Sequence, residues 1–99
     1  MYLSEIAQVV RSKNAGPRTL TLDVMFRSDA DYQRVAQAGI VTPAVIADLY
    51  GVPAEAVEVI AYPIARAIKV SLPRRTAGDP GDRDVYGAQQ HLPLLGLQL

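Results

Sequence analysis

Between Thr19 and Phe26 the chain alternates strictly: Leu20, Leu22, Val24 and Phe26 share one face, and Thr19, Thr21, Asp23 and Met25 share the other. A period of two predicts a half-buried strand, because successive side chains of an extended backbone point to opposite sides. The period then lengthens. Ser28 suits a helix N-cap, Asp29 and Asp31 suit the first turn, and Tyr32, Val35 and Ala36 form one apolar stripe that Gly39 ends. Thr42-Pro43 opens a second short helix, with Val45, Ile46 and Leu49 as its apolar positions and Gly51 as its stop. Pro53-Ala54-Glu55 adds one further helical turn. Val57, Val59 and Ala61 then alternate with Glu58 and Ile60, and Ile68, Val70 and Leu72 alternate with Lys69 and Ser71. The intervening Tyr62-Pro63-Ile64-Ala65 is short enough to join these two strands as a hairpin.

The N-terminal segment reads two ways. Leu3, Ile6, Ala7 and Val10 keep a helical spacing, whereas Gln8 to Arg11 extends equally well as a strand. The expectation is a helical turn through Ala7 and an extended segment into Arg11. Together these elements predict an α+β fold in two layers: a small, mostly antiparallel sheet of three or four strands with two helices on one face. Residues 1–99 form one domain in this reading, with a polar and leucine-rich tail at 78–99.

Composition narrows the function classes. The chain has 99 residues, no cysteine and no tryptophan. Without cysteine there is neither a disulfide framework nor a thiolate metal site, as expected of a protein in a reducing cytoplasm. No apolar run approaches the ~18 residues of a membrane span, and Met1-Tyr2-Leu3-Ser4-Glu5 lacks the basic start of a signal peptide. A soluble, cytoplasmic protein is expected. Net charge is zero but unevenly spread: Thr19 to Glu58 holds six acids against Arg27 and Arg34, and the remainder holds eight basic residues against four acids. Either the two ends meet in a mildly positive face suited to a small anion, or the central helices simply carry solvated acids. Nucleic acid is not an expected partner, since basic residues are few and only one phenylalanine is available for stacking.

Two stretches carry candidate chemistry. The first is Arg11-Ser12-Lys13-Asn14-Ala15-Gly16-Pro17-Arg18. Gly16 permits a positive φ, successive backbone N–H groups can form an anion-binding nest, and Arg11 and Lys13 add charge. Arg11, Ser12, Lys13, Asn14 and Gly16 are therefore candidate ligand-binding residues for a carboxylate or phosphate, against the plainer reading of a polar turn leading into a strand. Walker A and dinucleotide spacings are absent. The second stretch runs from Gly78 to Leu95 and contains the only histidine. Asp79, Asp82 and Asp84 lack the spacing and closing glutamate of a calcium loop, and Arg83 intrudes, so no metal is assigned. His91 beside Asp82 or Asp84 has the chemistry of a general acid or base; its plainer role is hydrogen bonding. Gln89 and Gln90 do not titrate and suit recognition. Candidate catalytic residues are thus His91, Asp84 and Tyr86, with Gln89 and Gln90 as ligand-binding groups. No cofactor is implied. Leu92, Leu94, Leu95, Leu97 and Leu99 put five leucines in eight residues, which need burial on this domain or on a neighbour.

Arg11-Ser12-Lys13-Asn14-Ala15-Gly16, Leu20-Thr21-Leu22-Asp23 and Asp84-Val85-Tyr86-Gly87-Ala88-Gln89-Gln90-His91 together resemble a bacterial family of small uncharacterised domains. Members of that family lie beside, or are fused to, acyclic terpene utilisation A proteins. The resemblance runs from Leu3 to Leu99 and is most specific over Tyr86 to Leu95. It implies a small companion subunit in the catabolism of branched or carboxylated acids, handling anionic or CoA-linked substrates, and it supplies no catalytic residue. The expected partner is therefore a second copy of the chain or a larger acyclic terpene utilisation A-like subunit. The classes that remain are a subunit completing a partner's active site, a self-contained small-acid enzyme, and a non-catalytic binding or oligomer-forming module.

Overall fold

The computed structural model of the chain describes residues 1–16, 18–73 and 92–99. Four strands, β1 (Ala7–Asn14), β2 (Thr19–Phe26), β3 (Glu58–Tyr62) and β4 (Ala67–Pro73), form one antiparallel sheet in the order β1-β2-β4-β3. Among the described residues four helices accompany it, α1 (Leu3–Ile6), α2 (Asp29–Ala38), α3 (Pro43–Tyr50) and α4 (Leu92–Leu95), with a 3₁₀ turn at Ala54–Ala56. The fold is α+β, as the periodicity predicts. β1–β2 and β3–β4 are hairpins. The connection through α2 and α3 carries the chain from β2 to β3, leaving a gap that β4 fills between them.

Cross-strand register explains the core. Leu20, Leu22 and Val24 of β2 stand opposite Leu72, Val70 and Ile68 of β4. All six are buried, and Tyr32 and Val35 of α2 and Ile46 and Ala47 of α3 complete the layer above them. Phe26 meets Tyr32 edge to face, with ring centroids 6.1 Å apart, a geometry the ring quadrupoles favour. Both helices start and stop as the sequence signals require. The Ser28 hydroxyl accepts from the Asp31 amide at 3.1 Å, and the Thr42 hydroxyl accepts from the Val45 amide at 3.3 Å. Gly39 and Gly51 end them at φ 68° and 67°, a left-handed conformation that a side chain would strain. The stripes differ in detail from the helical spacing: Ala36 and Leu49 are exposed, and Ala47 is buried instead. A helix lying obliquely on a sheet buries only the positions nearest the strands.

The chain ends close on each other. The Leu3 amide donates to the Leu97 carbonyl at 2.8 Å and the Leu99 amide to the Met1 carbonyl at 2.9 Å. Glu5 caps α1 by accepting from the Tyr2 amide at 2.8 Å. Leu94 and Leu3 are both fully buried in the common core, with Leu97 and Leu99 packed against it. Of the tail leucines, Leu94 is thus buried in its own domain and Leu97 and Leu99 are partly buried against it. The N-terminal strand is longer than expected. Helix ends at Ile6, and the extended segment runs past Arg11 to Asn14 because β2 offers a paired partner for each residue beyond a register shift between Ala7 and Val9. Among the described residues no helix is long and apolar enough to cross a membrane.

Candidate functional site

β1 divides the first candidate cluster between two faces. Side chains alternate along a strand, and Ser12 and Asn14 lie opposite Leu22 and Leu20 on the helix-covered face, whereas Arg11 and Lys13 lie opposite Asp23 and Thr21 on the open face. Ser12 is buried, Asn14 half-buried, and both are engaged in interactions. On the open face Arg11 Nε donates to Asp23 Oδ2 at 3.2 Å. Lys69 of β4 flanks Asp23 from the other side in the register. The Thr21 hydroxyl donates to the Lys13 carbonyl at 3.3 Å. This face therefore carries Arg11, Lys13 and Lys69 against Asp23 and, on β3, Glu58, a small excess of positive charge.

The loop expected over Arg11–Arg18 is corrected to a turn at Ala15–Arg18. The backbone of Arg11–Asn14 belongs to the ladder with β2, so those amides are not a nest. The Ala15 amide is also used, donating to the Thr19 carbonyl at 2.8 Å. Gly16 does adopt a positive φ, 100°, as its position in the turn requires. Of the groups first considered for an anion, the exposed Gly16 and Lys13 remain together at this end of the sheet, with Arg18 beside them.

The second cluster is bounded rather than described. Asp79, Asp82, Asp84, Tyr86, Gln89, Gln90 and His91 lie outside the described residues. Its two attachment points are defined. β4 ends at Pro73, opposite Thr19 and next to the Gly16 turn. The chain returns at α4, which packs against α1 and α3. α3 belongs to the helical layer, so α4 lies on the side of the sheet away from Arg11 and Lys13. Among the described residues nothing brings the two clusters together, and no three His, Cys, Asp or Glu side chains cluster at metal-binding distance.

Two features escape a reading of periodicity. Arg66, just after the β3–β4 turn, has a φ of 52°. Its Nε donates to Asp29 Oδ1 at 2.8 Å and its Nη1 to the Arg27 carbonyl at 3.1 Å, while its carbonyl accepts from the Phe26 amide at 2.9 Å. One strained residue thus clasps the hairpin to the β2–α2 junction. The sequence signal was the missing glycine: Tyr62-Pro63-Ile64-Ala65-Arg66 must turn without one. The second feature is Tyr50, at the end of α3, where burial pushes the phenol well above the ordinary tyrosine range. It stays a neutral, engaged group through neutral pH and is no proton-transfer candidate.

Beyond the hairpin clasp, the turn itself is apolar and open. Ala61, Tyr62, Pro63, Ile64 and Ala65 line a shallow hollow, with Ile64 fully exposed. No curated protein and no solved structure matches the chain. Residues 3–98 match the family described as a domain of unknown function, DUF4387, and with nearly its whole length covered the chain belongs to that family.

Proposed function

We propose that the chain is a small companion subunit of an acyclic terpene utilisation A-like catabolic enzyme, contributing to the handling of a carboxylated or CoA-linked small acid. The observation that carries this reading is the way the tail is tied down. Leu94 is buried in the domain's own core, and Leu97 and Leu99 are sewn to the N-terminus by backbone hydrogen bonds. The described residues on either side of segment 74–91, which contains Asp84 to His91, belong to the folded domain. Amides, a phenol and an imidazole are groups that make directional hydrogen bonds at low desolvation cost, and a platform presenting them suits a shared cleft. In this proposal Tyr86, Gln89, Gln90 and His91 contact the ligand and Asp84 orients His91, while Arg11 and Lys13 form a separate positive patch on the open face.

Co-expression with an acyclic terpene utilisation A protein from the same genome tests it. A stable complex is expected, with acyl-CoA turnover that exceeds that of the large protein alone. His91→Ala should remove the excess turnover and leave the complex intact. A large protein that purifies without this chain and turns over equally well would end the proposal. The exposed apolar hollow at Ala61–Ala65 favours a second reading, a non-catalytic module that forms oligomers or binds ligands. Under that reading His91→Ala changes nothing but the association itself would persist.

A further inference from the structure

β1 and β3 are the two edge strands of the sheet, and unpaired edges invite another strand unless something guards them. β1 is guarded: its register slips between Ala7 and Val9, and Arg11 and Lys13 charge its open face. β3 has no such slip, and its one charge is Glu58 at its first position. Glu58–Tyr62, EVIAY, contains no lysine, proline or glycine, and pairs with β4 residue for residue without a slip. Among the described residues no backbone group outside β4 pairs with it. Ala61 and Tyr62 are exposed along it, and the fully exposed Ile64 extends the apolar surface past its end.

We infer that the β3 edge joins two copies of this chain, strand to strand and antiparallel, into one continuous sheet. What points to a second copy rather than a foreign strand is self-complementarity. In an isologous contact residue i meets j and j meets i. Centring the pair on Ile60 sets Ile60 against Ile60 of the second copy, Val59 against Ala61, and Glu58 against Tyr62. The strand's single carboxylate faces a phenol able to donate to it, never another carboxylate. Apolar groups meet at the centre, where directly opposed side chains interact most strongly. The same pairing brings the two Ala61–Ala65 hollows to the ends of the joined strands, beside each other's Glu58. The inference goes beyond the companion-subunit proposal and stands or falls without it, because that proposal assigns no partner to this edge.

Sedimentation of the full-length chain across a wide concentration range tests it, with Ile60→Glu as the main variant. Within one chain the new carboxylate stands opposite Lys69 of β4, a favourable neighbour. In the dimer two carboxylates meet across the axis. The parent should sediment as a dimer, and Ile60→Glu should dissociate it by on the order of tenfold or more, since opposed like charges at an interface are strongly unfavourable, with an unchanged far-ultraviolet circular dichroism spectrum. Mixing Ile60→Glu with Ile60→Lys should restore dimers. Should Ile60→Glu lose its fold, Tyr62→Glu, at an already exposed position, sets a carboxylate against Glu58 of the second copy and serves the same purpose. A parent that stays monomeric at every concentration overturns the inference. So does a folded glutamate variant that dimerises as tightly as the parent, or a mixture that stays monomeric.

Discussion

β1 enters the sheet through a helical turn whose Leu3 is fully buried and whose amide is held by Leu97, while β3 leaves it through a turn held by the exposed guanidinium of Arg66 on the exposed carboxylate of Asp29. Both are edge strands of one small sheet, yet one is secured by burial and the other by an ion pair in water plus one strained residue. Apolar burial at α1 and α4 is not screened by salt and contributes roughly 1.5–3 kcal/mol for a fully buried large side chain. An exposed ion pair contributes under about 1 kcal/mol. The β1 edge is also interrupted and carries two cations, whereas the β3 edge is regular and mostly apolar, with Glu58 as its one charge. The two borders of one sheet thus differ: one closes the fold, and the other has no backbone partner beyond β4 among the described residues.

The comparison breaks most readily at Leu94. Leu94→Ala should destabilise the domain by about 2–5 kcal/mol, the range for emptying a packed core position, in a urea titration followed by circular dichroism. Hydrogen exchange should then show β1 amides losing protection, because α4 holds α1 and α1 leads into β1. Equal loss at β3 would mean the two borders share one anchor and are not distinct. An aspartate at Leu94 would put a charge into the core and unfold the domain, so it cannot serve as a clean probe of assembly.

A second, smaller effect is expected at the clasp. Arg66→Ala removes the ion pair and keeps the positive φ, whereas Arg66→Gly removes the pair and relieves the strain. Glycine should therefore be more stable than alanine at this position by about 1–2 kcal/mol, the cost of a left-handed conformation for a residue with a Cβ. Thermal unfolding of both variants measures the difference; identical midpoints would show that the backbone at Arg66 carries no strain. The smallest effect belongs to Arg11. Its side chain is largely exposed although Asp23 is not, and Arg11→Ala should change stability by less than about 1 kcal/mol. A larger loss would mean that the β1 border depends on charge as well as burial.

Much of this fold was legible in the chain. The alternation of Thr19–Phe26 and Ile68–Leu72, the caps at Ser28 and Thr42, and the stops at Gly39 and Gly51 are local signals, and each depends on backbone geometry within a few residues. The candidate site was legible only as composition. Arg11 to Asn14 read as a polar loop because charged and polar residues at alternate positions look alike in a turn and in a two-sided strand. Only pairing with β2 separates them, placing Ser12 and Asn14 inward and Arg11 and Lys13 outward.

The sequence alone determined β2, β3, β4, the two longer helices with their caps and the α+β class, since hydrophobic period and cap chemistry act over short distances. Tertiary structure decided what no short window contains. It settled which strands became edges, because β4 inserts between β2 and β3. It decided where the leucine tail found cover, because Leu94 reaches the core only when the two termini meet. It also made Arg66 a clasp, because Asp29 and the Arg27 carbonyl arrive beside it from across the fold. Each of these depends on contacts between residues far apart in the chain, and a pattern with a period of two or of 3.6 does not encode which distant partner will be met.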